Sequence, residues 1–379
     1  MNTPFGKLIE KKSFGMLFLI LTLISLFCGA VANSRTAALL SGSFPLSGLI
    51  GFLYVIMGFL VLMQVKLMER WKSRRLETVM GFATCFFIYD FLILLVWSVF
   101  CALLPLSKYA EAVGVLCSDL SAVLTVVLGY LHAGNIRTVS CSIPAGMKEG
   151  SCRIALISDI HLGEFVGERQ VRRIVDAVNR LDADLVVICG DLIDVNNHIL
   201  ADPHELEQIS QIFRDFRSKE GVFAVLGNHD PNAEDETFRQ FLQASGIRLL
   251  DNEIVQLSKI NLIGRTNAAN NRRIPIKAFS GKTEVSMPVV VLDHDPAGIP
   301  EAVSFGADLV LCGHTLKGQF FPVTFFTKLA VGKHYFYGHE CFGKTHAVIS
   351  SGAGFFQLPV RIGTNSEVVD IRMTESTVR

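Results

Sequence analysis

Charge is scarce in this sequence. Asp, Glu, Lys and Arg make up only 18% of it, and 35 basic residues meet 35 acidic ones, leaving no formal net charge. That balance excludes a basic face built for nucleic acid and an acidic disordered tail. The nine cysteines form an odd total, and no two of them make a Cys-x-x-Cys pair. A zinc ribbon and a disulfide framework are thereby set aside, and a reducing compartment is expected. Internal repeats and low-complexity tracts are also absent.

What the chain has in excess is apolar length. Half of its residues are hydrophobic and its mean hydropathy is +0.42, too apolar for an ordinary soluble protein of this size. The excess lies in four runs at about 14–32, 45–65, 79–104 and 113–131. Each is long enough for a helix crossing about 30 Å of hydrocarbon. One such run could be a core helix, and the first could be a signal peptide, but four in succession read as a multi-pass anchor over residues 1–136. Lys7, Lys11 and Lys12 precede the first run, and Lys66, Arg70, Lys72, Arg74 and Arg75 lie between the second and third. The positive-inside rule puts both flanks, and everything after the fourth run, at the cytoplasmic face of the cell membrane. Asp90 and Asp119 fall inside the last two runs. They read either as an ion or proton relay or as polar groups that join helices.

From Arg153 the pattern changes. Ile154–Ile157, Leu185–Cys189, Val222–Leu226, Val289–Leu292 and Leu309–Cys312 are apolar runs of strand length. Amphipathic stretches at 167–181, 204–219 and 234–245 alternate with them, as in an α/β sandwich. A polar, Gly-containing connection over 137–151 separates this part from the anchor. Each strand-like run ends in ligand-type side chains: Asp159 and His161, then Asp191, then Asn228, His229 and Asp230, then His294, then His314. One Asp or His at a strand end is usually a turn or a cap. Five strand ends that bring carboxylate, imidazole and amide together, where open α/β sheets bind ligands, point to a metal site. Mixed ligands of this hardness suit Mn, Fe, Zn or Co, with Mg not excluded. A carboxylate shared by two such cations gives a pair that activates hydroxide and clamps an in-line displacement at phosphorus.

These residues resemble the calcineurin-like metallophosphoesterase superfamily. The resemblance runs over about 152–372, leaves 373–379 as a tail, and rests on Asp159, His161, Gly190-Asp191, Gly227-Asn228-His229-Asp230, His294 and Gly313-His314. With the apolar N-terminal third, Ser350-Ser351-Gly352-Ala353-Gly354 and Pro359-Val360-Arg361 resemble a membrane-attached branch. That branch includes YkuE-like proteins and animal transmembrane metallophosphoesterase-domain proteins. The resemblance implies a four-layer α/β/β/α sandwich with two divalent cations. Asp159 and His161 would hold the first, Asp191 would bridge both, and Asn228, His294 and His314 would hold the second. His229 would be the acid for the leaving group, and Asp230 would orient it.

One position departs from the family pattern: where Gly-His-x-His is expected, the chain reads Gly313-His314-Thr315-Leu316. Leucine has no lone pair, so the first cation loses a ligand. Three readings stay open. Water or a distant histidine (His334, His339 or His346) fills the gap; or one firmly held cation works with the Lys317 ammonium beside the phosphate; or the site is a retired catalyst kept for phosphate binding and regulation. Confinement to a membrane favours a phospholipid or lipid-linked phosphodiester or pyrophosphate substrate. Phe320, Phe321, Phe325, Phe326, Phe355 and Phe356 then become either an apolar lip for acyl chains or ordinary core.

The zero charge also divides. Residues 1–136 hold 10 Lys and Arg against 6 Asp and Glu (+4), and residues 137–379 hold 25 against 29 (−4).

Overall fold

The computed structural model describes residues 29–39, 52, 56, 74–147, 150–194, 198–267, 272–284 and 286–375. The expected spans at 14–32 and 45–65 lie mostly outside these residues. The chain divides into two units, one of residues 1–131 with 358–360 and one of 132–357 with 361–379.

In the first unit, helix α1 (Arg74–Leu103) and helix α2 (Lys108–Ala133) answer the third and fourth apolar runs. Both are long and apolar enough to cross a membrane. Leu95, Val96, Val99, Leu120, Val123, Leu124 and Leu128 stand exposed along them as an apolar surface. Gly114 on α2 leaves room for the Trp97 indole, since a Cβ there would come within 1.9 Å of it. Asp90 is buried, and Asp119 is hydrogen-bonded to it and to Asn33, so these two acids tie helices to one another.

The second unit is built on two six-stranded sheets. The first runs β1 (Ile136–Pro144), β12 (Ser366–Thr374), β2 (Cys152–Ile157), β3 (Leu185–Cys189), β4 (Val222–Val225), β5 (Ile247–Leu249). The second runs β10 (Gly338–Phe342), β11 (Thr345–Ile349), β9 (Leu309–Cys312), β8 (Val289–Leu292), β7 (Asn261–Gly264), β6 (Glu253–Gln256). Strands β2 to β5 are parallel, as are β7, β8, β9 and β11. Leu156, Val187, Leu262, Leu292 and Leu311 fill the space between the sheets. Such side chains contribute about 1.5–3 kcal/mol each when fully buried.

Three helices cover the outer face of the first sheet: α3 (Glu168–Asn179), α4 (Pro203–Arg214) and α5 (Glu236–Ala244). On α3, Val171, Ile174, Val175 and Val178 repeat at helical spacing and are buried in the core on this face, where the helix lies along β1 and β12. Helix α4 starts with Asp202 accepting from the Glu205 amide and with Pro203 in its first turn; α5 starts with Asp235 accepting from the Phe238 amide. Helix α6 (Ile299–Phe305) and the turn Ile276–Phe279 cover the second sheet. Helices therefore flank a pair of stacked sheets, as the resemblance implied.

Residues 137–151, expected as a connection, instead carry most of β1, which pairs in parallel with β12 along its whole length. The expected tail likewise begins inside β12, which continues to Thr374. Ile136–Pro144 has no clean apolar alternation, with only Ile143 fully buried, so hydrophobic period could not reveal it.

Candidate metal centre

Strands β2, β3 and β4 from one sheet and β8 and β9 from the other end at a common edge, and the ligand-type residues follow them directly. Their loops are tied together by backbone. The Asp159 amide donates to Gly190 O (3.0 Å), the His161 amide to Asp191 O (3.0 Å), Gly313 to His294 O (3.0 Å) and Gly354 to Asp159 O (3.0 Å). Asp159, His161, Asp191 and His314 all have positive φ, at 49°, 53°, 52° and 71°. Such backbone costs on the order of 1 kcal/mol or more per residue and is kept where the surroundings fix it. Glycine makes the close approach possible: a Cβ on Gly227 would lie 2.0 Å from Asp191 Oδ1, and one on Gly313 would lie 2.4 Å from Asp159 Oδ2.

Two sets of ligand atoms result, Asp159–His161–Asp191 and Asp191–His294–His314, each within a 4.8 Å span and sharing Asp191. His294 Nε2 lies 3.2 Å from Asp191 Oδ2, 3.2 Å from Asn228 Oδ1 and 3.3 Å from His314 Nδ1. Its Nδ1 donates to Cys189 O at 2.7 Å, which fixes the tautomer and aims Nε2 into the site. Burial opposes a charge on His294, but Asp191 and Asp159 outweigh it and push its pKa up to about 10. Burial likewise works against the Asp191 carboxylate, yet the surrounding histidines hold it well below the usual range. Asp159 is raised to about 6, by burial first and against the pull of His294. His161 is buried, and among the described residues neither ring nitrogen has a hydrogen-bond partner; Asp191 and Asp194 approach only to 3.7 and 3.8 Å. Burial lowers its pKa to about 3, so at neutral pH both nitrogens sit in a buried neutral ring. A fully buried imidazole without partners is costly, and a cation between Asp159, His161 and Asp191 removes that cost. The residues present therefore fit a pair of divalent cations.

Other expected residues fall differently. The His229 ring packs on Phe356 at 4.5 Å and edge-on to His161 at 5.5 Å, and burial lowers its pKa. Asp230 does not orient it. Its carboxylate accepts from the Ile193 amide (2.9 Å) and the Gly227 amide (2.8 Å), clamping two ligand-bearing loops together. Burial and the nearby Asp191 raise Asp230 to about 7. Lys317 holds its ammonium 4.0 Å from the centre of the Tyr337 ring. Leu316 carries its side chain beside Asp159: a Cβ on Gly352 would touch both, at 3.1 Å from Leu316 Cδ2 and 2.9 Å from Asp159 Cβ. His334, His339 and His346 do not fill the gap. His334 pairs with Glu340 at 2.7 Å, and the other two face each other on β10 and β11. Phe320 and Phe355 are core, whereas Phe321, Phe325 and Phe326 are exposed.

Three supporting groups lay outside the sequence reading of the site. Buried Arg361 donates to Gly354 O and Leu316 O, and its charge is felt by Asp159 and His161. Gln319 exchanges hydrogen bonds with the Phe356 backbone (2.7 and 3.2 Å), which sets that ring against the histidines. Arg265 and Arg273 bind buried Asp293, next to His294. Only Arg361 had a visible signal, in Pro359-Val360-Arg361.

Comparison with known proteins bears on this geometry directly. Residues 152–318 match the family model for calcineurin-like phosphoesterase. A protein of Campylobacter jejuni described as an uncharacterized metallophosphoesterase is 31% identical over 265 residues, covering 66% of this chain and 68% of its own length. The chain belongs to the calcineurin-like metallophosphoesterase family. A Helicobacter pylori relative with the same description is 34% identical over 231 residues, 58% of this chain and 59% of that protein. The chain thus spans about three fifths of the length of that relative. A transmembrane protein with metallophosphoesterase domain from Danio rerio is 31% identical over 284 residues, 69% of this chain and 63% of its own. The branch inferred from sequence, membrane-attached with a phosphoesterase domain, agrees with these matches.

Proposed function

We propose that this chain is a multi-pass membrane enzyme that hydrolyses a phosphodiester or pyrophosphate bond of a lipid or lipid-linked substrate at the cytoplasmic face. The observation that carries the reading is the pair of ligand sets sharing Asp191, with the unpartnered His161 ring in one of them. Asp159, His161 and Asp191 would hold one divalent cation, and Asp191, Asn228, His294 and His314 the other. Bound there, Mn, Fe, Zn or Co supplies positive charge to the phosphoryl oxygens and acidifies a solvent nucleophile. His229, on the loop beside Asp191 and held by Phe356, donates a proton to the leaving oxygen. Arg361 and the Asp230 clamp position the loops. The lipid part of the proposal rests on position: Phe321, Val323, Phe325, Phe326 and Leu329 are exposed on and before α7 (Val323–Val331), just beyond the loop of His314. Such a cluster suits acyl chains or a bilayer surface.

Leu316 favours a second reading, a weakened or inactive site that binds phosphate for regulation. Hydrolysis of an aryl phosphodiester and of a lipid panel by detergent-purified protein with Mn separates the two. Activity that disappears in Asp191→Ala supports the enzyme. An inactive parent with activity gained in Leu316→His would establish the retired catalyst. Equal turnover of lipid and soluble esters, unchanged in Phe321→Asp/Phe325→Asp, would remove the lipid part.

A further inference from the structure

The β10–β11 hairpin carries a cluster that the phosphoesterase site does not use. His339 and Cys341 are two apart on β10, and His346 on β11 stands directly opposite Cys341, so all three project from one face of the hairpin. His339 Nε2 is 2.9 Å from His346 Nδ1, and Cys341 Sγ is 3.4 Å from His346 Nδ1 and 3.8 Å from His339 Nε2. Zn–N bonds of about 2.05 Å and a Zn–S bond of about 2.3 Å at tetrahedral angles give N···N near 3.3 Å and S···N near 3.6 Å. The three atoms thus stand within about half an ångström of the face of a zinc tetrahedron, before any adjustment.

We propose that His339, Cys341 and His346 form a second metal site, separate from the catalytic centre, for a zinc-class dication. One thiolate and two imidazoles are borderline-soft donors, which select zinc over magnesium or calcium. The site lies at the far end of the sheet from the catalytic loops. His346 pairs with Leu309 at the start of β9, whereas His314 follows Cys312 at its end. His339 and Cys341 are exposed, so the fourth position opens to solvent. The cation fastens edge strand β10, which has a single strand neighbour among the described residues, to β11.

Cobalt reports the site without reference to activity, because a thiolate ligand adds an intense near-ultraviolet charge-transfer band. The full chain in detergent, stripped with chelator, is titrated with Co²⁺ and then with Zn²⁺. The band is expected in the parent and in Asp191→Ala, with Zn²⁺ displacing it. It should vanish in Cys341→Ser, and zinc affinity there and in His339→Ala/His346→Ala should fall by at least about 100-fold. Cys189 and Cys312, at the ends of β3 and β9 next to the catalytic loops, are both fully buried, and Cys189 donates to Leu311 O, so neither supplies the band. No band in the parent, or a band that survives Cys341→Ser, overturns the proposal. His339 and Cys341 are exposed, and unchanged melting of the metal-free variants checks that the fold is intact.

Discussion

On one side of Asp191 stand His294 and His314, with Asn228 at the rim; on the other stand Asp159 and His161 alone, facing Leu316. The first of these groups is fixed in advance. Cys189 O holds the His294 ring, and three polar atoms crowd its Nε2 within 3.3 Å. The second has a ring whose nitrogens lack hydrogen-bond partners among the described residues, the apolar Leu316 side chain beside Asp159, and the buried Arg361 guanidinium close enough to oppose positive charge. Donor number and local field both argue that cations bound in the two sets would be held unequally.

The substitution that breaks the comparison altogether is Asp191→Ala. It removes the only carboxylate common to both sets, so metal stoichiometry and Mn-dependent phosphodiester hydrolysis should both collapse, the rate by at least about 100-fold. Metal content by mass spectrometry beside the rate checks this. A variant that keeps one tightly bound cation and most of its activity would show that the halves do not depend on a bridge.

Next in size is Leu316→His, which restores the missing donor beside Asp159. Affinity of the weaker site should rise about 10- to 100-fold, seen as saturation of activity at lower Mn. The stronger site should bind as before, so the two-step titration contracts towards one step.

The asymmetry was legible in part. The five strand ends, the ligand types and the Leu316 departure are written in short contiguous segments, where a β-branched run and its polar end are local signals. β1 and β12 were not, because their pairing joins residues more than 200 positions apart and depends on no period. Asp230 was misassigned for a similar reason: sequence adjacency put it next to His229, whereas its partners are amides of other residues, Ile193 in another loop and Gly227. Arg265 and Arg273 reach Asp293 from a segment with no motif of its own.

Protons should distinguish the halves as well. His294, raised to about 10, must lose its proton for a cation to bind, whereas His161, lowered to about 3, already offers a lone pair at neutral pH. Binding to the His294 half should therefore release about one proton at pH 7 and strengthen about tenfold per pH unit, with the other half much flatter. Calorimetry in buffers of different ionisation enthalpy measures the release. The stability of the metal-free protein follows the same signs. His294 and Asp230, both raised, contribute stability at low pH that is lost as pH climbs through about 7 (Asp230) and about 10 (His294). His161, lowered, works the other way below its ordinary value of 6.5. Melting temperature should peak on the mildly acidic side, and added metal should raise it most above pH 8.

The smallest effect expected is also the most local. Phe356 lies 5.1 Å from the His161 ring and 4.5 Å from the His229 ring, and Gln319 fixes its backbone. Aromatic contacts of this kind are worth about 0.5–1.5 kcal/mol, so Phe356→Leu should slow turnover by about 2- to 10-fold. Leucine keeps the apolar cover and loses only the ring faces, so neither the fold nor the number of cations should change. Because no ring contact of Phe356 reaches His294 or His314, the loss should come from the His161 half and from the proton donor. Weakened binding of the looser cation, with the tighter one unaffected, is the expected titration. An equal loss at both would mean that Phe356 acts through the shared Asp191, and the two halves would then have to be treated as one.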